Sequence, residues 1–522
     1  MTNPVVSVII PVYNTMPYLM ACLDSLVDQS IGLDRLQIIT VDDGSTDGSS
    51  EVLNQYAVRH PGSFLVIHQA NSGSPAGPCN RGLDLATGQF VFFIGADDYL
   101  GSEALERLVR AATLWESDVI YGRMVGKGGR YVDQRMFDSS RRDVTFLGSD
   151  LAYTLSNAKL FRRSLLEDHG IRYALDLRVG SDQPFTVAAI LKSRRTSVVS
   201  SYDFYYAVRR DDGSNITYSK HWSTRLSDVT ALIDHLADLV EKGEVRDALL
   251  QRHFSWELSK LLRNELQGLP DHEGQGLTRG VSTIASRYLT TGLSRRLKPT
   301  TRLPIRLAQA NNLNTLRRVI DYQSETALPP LVLSANRVFE WAPGFGDPEC
   351  SEDWYEVYAD DFTELLQARV EPAAAQVHDH ELELTGRVGV NAASREQICL
   401  ALQRAGDTEL TRASGRFPLG GAPEVDGAFP VHLVQPSTGE WSLFRCRIDL
   451  RCLFHRKAPA GVRWILRMRA NVGPWSYDLP MRLGGVQLAT SFPYRGRRRF
   501  VTIRSERGGA VALRIEQRPP ST

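Results

Sequence analysis

Four short apolar runs rich in β-branched residues mark the first hundred positions: residues 5–10 (VVSVII), 36–41 (LQIITV), 64–67 (FLVI) and 90–94 (FVFFI). Each is bounded by turn residues, as expected for strands buried on both faces of a parallel sheet. Helical patterns fill the gaps at 17–29, 49–59 and 77–86. Strands alternating with helices imply βαβ units and an open α/β sheet with right-handed crossovers. Ligands of such sheets bind beyond the carboxyl ends of the strands, so the residues just after each run are the ones to inspect.

The pattern changes after about residue 220. Leu226, Val229, Leu232, Ile233, Leu236, Leu239 and Val240 recur at helical spacing, and helical signal returns at 253–266 and 304–322. Apolar stripes of this kind pack a core. From about residue 329 short strands take over, at 380–388, 397–402, 441–450, 463–469, 500–504 and 511–516, separated by Gly/Pro turns. That density predicts a β-sandwich. The expected organisation is an α/β domain over 1–220, a small helical region over 221–327 and a β-rich domain over 328–522.

Composition narrows the class. With 522 residues the chain is too long for one core. A net charge of +1, with 42% hydrophobic and 23% charged residues, argues against a nucleic-acid binder. The acid-rich stretch 347–361 and the arginine-rich stretch 495–518 read as solvated faces, with partner contact as the alternative. Six scattered cysteines, none in a CxxC pair, suit a reducing compartment. No apolar run approaches the ~20 residues a membrane span needs. A cytoplasmic location is expected, with peripheral attachment to the inner face of the membrane as its furthest extension.

The loops after the four runs carry groups suited to a nucleotide. The first, Pro11-Val12-Tyr13-Asn14, offers a flat ring on which a pyrimidine can stack. The second, Asp42-Asp43-Gly44-Ser45-Thr46-Asp47, offers a carboxylate to a base N–H or ribose hydroxyl, and a cap for the next helix. The third comprises Asn71-Ser72-Gly73 and then Pro78-Cys79-Asn80-Arg81-Gly82. The fourth, Gly95-Ala96-Asp97-Asp98, ends a strand with two carboxylates, a hard oxygen site for Mg²⁺ or Mn²⁺ under a diphosphate. Any one of these alone reads as a turn or a helix cap; their order and spacing together do not.

VSVIIPVYN, VDDGSTDGS, N-S-G with NRG, and FFIGADD together resemble the N-terminal half of family-2 inverting glycosyltransferases with the GT-A fold. Further segments (GKGGRYVDQRMF, TLSNAKLFRRSLL, LRVGSDQPF, VRRDDGSNIT) resemble the poly(ribitol-phosphate) β-N-acetylglucosaminyltransferases of wall teichoic acid. The resemblance covers roughly residues 5–220; beyond that it is architectural. It implies that Pro11, Tyr13, Asp43, Asn71 and Arg81 hold uridine, that Ala96 and Asp97 lie at the donor, and that Asp97 binds Mg²⁺ or Mn²⁺. It further implies that Asp182 is the general base, and that Arg130, Arg209 and Ser214 grip the diphosphate or the acceptor end. It makes a UDP-sugar the donor, with GlcNAc as the sugar, an anionic glycopolymer the acceptor, and a homo-oligomer the expected assembly.

Two departures stand out: Gly95 occupies the first position of the usual Asp-x-Asp, and Ser181 precedes Asp182 where relatives carry Glu. No QxxRW-like segment follows Asp182, which favours single-sugar addition over polymerisation. A capsule or exopolysaccharide acceptor, and a catalytically degenerate nucleotide-binding scaffold, remain alternatives. Trp341, Trp354, Trp441, Trp464 and Trp475 in the β-region suit core packing, a sugar groove or an oligomer interface; Arg495, Arg497, Arg498, Arg499 and Arg504 suit a phosphate polymer or a solvent face.

Overall fold

The computed structural model describes residues 4–210, 221–334, 337–359, 362–369, 371, 374–392, 398–404, 428–430, 432–433, 441–450, 463–472, 475–481, 488–494, 497–505 and 511–516. Two compact units divide the chain, residues 1–297 and 298–522.

Unit 1 begins with ten strands: β1 (Val6–Val12), β2 (Leu36–Asp42), β3 (Phe64–His68), β4 (Phe90–Phe93), β5 (Tyr99–Leu100), β6 (Val119–Gly122), β7 (Met124–Lys127), β8 (Leu160–Arg162), β9 (Thr196–Val199) and β10 (Tyr205–Val208). Six helices lie among them: α1 (Leu19–Val27), α2 (Ser49–Arg59), α3 (Ala76–Asp84), α4 (Ala104–Trp115), α5 (Arg163–Asp168) and α6 (Asp182–Lys192). Seven strands form one sheet in the order β3-β2-β1-β4-β8-β6-β9, and β5-β10-β7 form a smaller one. Val6, Val8, Ile9, Ile10, Ile38, Ile39 and Val41 are all fully buried, because β1 and β2 sit in the middle of a sheet covered on both faces.

The four apolar runs pair in parallel, β1 with both β2 and β4, and β2 with β3. The sheet as a whole is mixed, however. The three-residue strand β8 runs antiparallel between β4 and β6, so the wholly parallel sheet expected from the βαβ rhythm stops at β4.

Five more helices complete unit 1: α7 (Trp222–Leu239), α8 (Glu244–His253), α9 (Ser259–Glu265), α10 (Asp271–Tyr288) and α11 (Thr291–Arg296). A π-helical turn, Phe254–Leu258, joins α8 to α9. Unit 2 opens with α12 (Pro299–Gln309) and α13 (Leu313–Glu325). Helical signal at 304–322 therefore resolves into two helices. Asn311 takes a positive φ of 53°, and Asn312 caps the second helix by accepting from the Thr315 N–H at 3.1 Å.

Among the described residues three sheets follow in unit 2, of three, four and seven strands. Leu382, Leu384, Phe444 and Ile448 of the four-stranded sheet share a single core with Leu466, Met468, Val501, Ile503 and Leu513 of the seven-stranded one. Trp341 packs edge-on against Tyr322, with ring centres 5.2 Å apart, and the Trp441 indole N–H donates to the Leu328 carbonyl at 3.4 Å. Arg504 is exposed. Arg495 and the side chains of Trp464, Trp475 and Arg497–Arg499 lie outside the described residues.

Candidate active site

A cleft of about 590 Å³ opens at the carboxyl ends of β1, β2 and β4. Pro11, Tyr13, Asp43, Asn71, Ala96 and Asp97 all line it. The register explains why. Pro11 and Val12 face Val41 and Asp42 across the parallel pair, and the Asp43 N–H donates to the Val12 carbonyl at 2.8 Å, so the first two loops leave the sheet together. Tyr13 is 48% exposed, leaving its ring face available to a ligand.

Asp43 is buried and fully engaged. Its carboxylate accepts from the Ser72 backbone N–H at 3.0 Å, the Ser72 hydroxyl at 2.9 Å and the Gln69 amide at 2.7 Å. It thereby ties the β2 loop to the β3 loop that presents Asn71. Gly44 makes that closeness possible: its φ is +81°, and an added Cβ would stand 3.1 Å from the Asn71 backbone nitrogen. Beside it, burial works to raise Asp42, but donors on Ser45, Ser50 and His68 outweigh burial and hold the carboxyl below the usual range.

At the end of β4 the two carboxylates diverge. Asp98 turns inward, accepting from the Tyr205 hydroxyl at 2.6 Å and the Val208 N–H at 2.7 Å. Burial, and then the charge of Asp97, push its acid upward. Asp97 stays at the cleft, where Arg210 Nε donates to it at 2.8 Å. Among the described residues no group of three or more His, Cys, Asp or Glu side chains is arranged to hold a metal ion. With Gly95 at the first motif position, Asp98 turned inward and Asp97 on a guanidinium, the residues present do not fit a divalent-cation site built by the protein.

Other expected residues fall elsewhere. Arg81 sits exposed on α3, outside the lining of the cleft. Arg130 and Arg209 are exposed and likewise outside it, Arg130 donating to the Val208 carbonyl at 3.1 Å. Ser214 lies outside the described residues.

Asp182 is the first residue of α6 and is not in the cleft lining either. Burial raises its acid; Arg252 and Lys159 oppose this, as do the backbone N–H groups of Asp182 and Asn157. Lys159 is fully buried, its ammonium donating to the Thr154 carbonyl at 2.6 Å and the Ser156 carbonyl at 2.5 Å, over the ring of Tyr121. Burial brings it down to about 7.

A second cleft, of about 310 Å³, adjoins α6. Gly180 and Gln183 line one side; Arg252, Trp256 and Lys260 line another, with Asp228 and Glu257 among them. The π-helical turn carries Trp256, and such turns recur at functional sites. Arg252 and Lys260 stand 5.3 and 5.2 Å from the Trp256 ring centre. Arg252 also donates to the Gln183 side-chain oxygen at 2.8 Å, which links this cleft to the residue next to Asp182.

Sequence reasoning passed over Arg210, Lys159, Arg252 and Trp256. Arg210 had a signal, since it is the neighbour of the arginine chosen. Of the three others, Trp256 lay in the helical stretch 253–266 that read as core, Lys159 lay in the segment TLSNAKLFRRSLL quoted for its resemblance, and Arg252 lay just ahead of 253–266.

Residues 7–170 match the model described as glycosyl transferase family 2, and residues 225–320 match the glycosyl transferase TarS linker domain. The chain is 35% identical over 260 residues to a poly(ribitol-phosphate) beta-glucosyltransferase of Bacillus spizizenii, a match covering 49% of this chain and 41% of that protein. The chain thus spans less than half the length of that curated relative. It is 32% identical over 241 residues to a PGL/p-HBAD biosynthesis glycosyltransferase of Mycobacterium bovis, covering 44% of this chain and 88% of that one. Residues 1–349 of Staphylococcus aureus TarS, solved in complex with UDP-GlcNAc, match at a TM-score of 0.58 and 25% identity, covering 68% of this chain and 100% of that structure. A longer TarS crystal structure matches 99% of this chain and 86% of its own, at TM-score 0.61 and 19% identity, which extends the shared fold into the β-rich region. The cleft's position on the sheet, the family model over its loops and a relative matched along most of its length converge, and the chain belongs to glycosyl transferase family 2.

Proposed function

We propose that this protein moves one sugar from a UDP-sugar to a hydroxyl of an anionic cell-wall glycopolymer, with inversion at the anomeric carbon. The observation that carries the reading is the clustering of Pro11, Tyr13, Asp43, Asn71, Ala96 and Asp97 around one cleft at the strand ends. Uracil stacks on Tyr13, and the diphosphate lies over the β4 loop at Asp97. The structural relative bound to UDP-GlcNAc supports a UDP-N-acetylhexosamine donor; the Bacillus spizizenii relative, named a glucosyltransferase, keeps glucose beside it.

Asp182 is the base of this mechanism. Its carboxylate takes the proton of the acceptor hydroxyl as that oxygen bonds to the anomeric carbon. The anomeric carbon–oxygen bond to UDP breaks on the opposite face, and its electron pair leaves with the diphosphate. The acceptor approaches from the second cleft, where Trp256 offers a face to a sugar or polyol unit and Arg252 and Lys260 face its phosphate. Names of relatives containing poly(ribitol-phosphate) support a polyol-phosphate acceptor. The β-rich unit 2 serves polymer binding or assembly in this reading.

Calorimetric titration with UDP and transfer to poly(ribitol-phosphate) with Asp182→Asn test it together. The variant should keep UDP affinity and lose about 10²- to 10⁴-fold in turnover, the range of a general base. A wild-type protein that binds no UDP ends the proposal; one that binds UDP but transfers nothing to any polymer leaves the scaffold reading in its place.

A further inference from the structure

A general base must stand within hydrogen-bond reach of the acceptor hydroxyl and in line with the donor carbon, so its placement against the nucleotide cleft is part of the chemistry. Asp182 has little local support. It is the first residue of α6, Ser181 ahead of it makes no side-chain cap, and residues 171–181 contain neither strand nor helix. Support comes instead from Tyr173, a buried residue of that irregular segment. Asn80 takes both of its backbone groups, donating from Nδ2 to the carbonyl at 3.0 Å and accepting the N–H on Oδ1 at 2.9 Å. Asn80 belongs to α3, two residues after Pro78 in the wall of the nucleotide cleft. The segment is thereby pinned to the donor side at one residue.

From that fixed point two arms reach the base. The Tyr173 ring lies flat on Phe185, with centres 4.2 Å and planes 10° apart. Phe185 follows Asp182 by three residues, on the same face of the first turn of α6. Phe93 of β4, two residues before Gly95, meets both rings edge-on at 5.4 Å. The hydroxyl is the second arm. It accepts from Asn157 Nδ2 at 2.8 Å, and the Asn157 backbone N–H faces the Asp182 carboxylate. Its own proton goes to the sulfur of the buried Cys79. Both asparagines come from segments that carry the resemblance, NRG and TLSNAKLFRRSLL, and neither lines the nucleotide cleft.

We propose that Tyr173 is a positioning residue: anchored on α3 by Asn80, it sets through Asn157 and Phe185 where the Asp182 carboxylate stands relative to the nucleotide cleft. The inference rests on Asp182 being the base. Tyr173 lines neither cleft. Burial and the neighbouring thiol push its phenol far above the usual range, so it stays neutral and exchanges no proton with substrate. Its removal should therefore change turnover and leave nucleotide affinity alone.

The test measures transfer by the full chain from UDP-GlcNAc or UDP-glucose, whichever the wild type uses, to poly(ribitol-phosphate), with calorimetric titration of UDP alongside. Tyr173→Phe keeps the stacked ring and removes the hydroxyl. Its kcat should fall by about tenfold to a hundredfold, the cost of a reacting group displaced by up to about 1 Å, with the Kd for UDP within about twofold of wild type. Asn157→Ala breaks the same hydrogen bond at a half-buried residue, so this arm stands if Tyr173→Phe fails to fold. It should give a similar loss, and the two substitutions together no more than either alone. Added to Asp182→Asn, each should cost nothing further, because nothing is left to position. Wild-type kcat in both variants overturns the inference and leaves the function reading intact. So does a loss that adds fully to that of Asp182→Asn, or a fall in UDP affinity as large as the fall in kcat, since either marks general damage to the fold. An Asp182→Asn variant as active as the wild type, or a wild type that transfers neither sugar, overturns the function reading and this inference with it.

Discussion

Asp182 and Lys159 are residues whose surroundings work against their charges. Burial raises the acid of Asp182, while Arg252 first and Lys159 second draw it back. A base must be ionised, so turnover falls as pH drops through a point above the ordinary carboxylate range. Lys159, held near 7, is charged across the acidic side of that profile. Lys159→Met removes a cation facing Asp182, and the acidic limb of kcat/KM should move to higher pH, a displacement that a merely structural lysine would not produce. The same substitution has a stability signature. The folded lysine titrates near 7 and the unfolded one near 10.5, so between these values the unfolded chain binds more protons and wild-type stability rises with pH. That gain is complete above the unfolded value and is lost as pH falls through the folded one. Denaturant melts over this window should show it for the wild type and not for Lys159→Met, which also costs about 1–3 kcal/mol for the carbonyls of Thr154 and Ser156 left without a donor. Residues at this scale were legible where loops announced them: Asp43 and Asp97 follow apolar strands and carry turn neighbours. Arg209 and Arg210 are adjacent and identical, and only the backbone's exit from β10 decides which of them meets Asp97.

Between elements, the contact that places the nucleotide loops is the seat of α3 on β1. Gly82 faces Ile9, and a Cβ added there would lie 2.5 Å from Ile9 Cγ2. Ile9 is fully buried and β-branched, so it has no rotamer to retreat into. Gly82→Ala should therefore cost about 1–3 kcal/mol by overpacking, read as a lowered denaturation midpoint. It should weaken UDP as well, because α3 carries Pro78, a residue of the cleft wall. A stability loss with unaltered UDP affinity would mean that the cleft tolerates movement of α3. At this scale β1 to β4 and α1 to α3 could be read in advance, since each buried strand is a solid apolar run and each helix has its stripe. β8 could not. Three residues, Leu160–Arg162, give no period, and its antiparallel direction is set by its neighbours on both sides. The π-helical turn was equally hidden, because residues 253–266 keep helical spacing through it.

The whole chain divides its labour between two cores. Every residue lining the nucleotide cleft lies between Pro11 and Arg210, inside unit 1. Unit 2 has a core of its own, in which Leu384 is fully buried and pairs across the sheet with Cys446. Six strand positions in that unit were legible from alternation, while the strand order within its seven-stranded sheet depends on pairings far apart in sequence, such as that of residues 463–466 with 511–514. Leu384→Ala deletes three side-chain carbons from this core and should cost unit 2 about 2–5 kcal/mol. Each unit carries its own core, so denaturant unfolding should be followed with a separate probe for each: UDP binding for unit 1, and labelling of the buried Cys350 thiol for unit 2. Saturating UDP, at a hundredfold excess over its Kd, should stabilise the unit that binds it by about 2.7 kcal/mol in both proteins. The Cys350 labelling transition should move to lower denaturant in Leu384→Ala, and UDP affinity of the folded variant should match the wild type. A loss of UDP affinity in Leu384→Ala would show that the cleft needs more than the residues that line it.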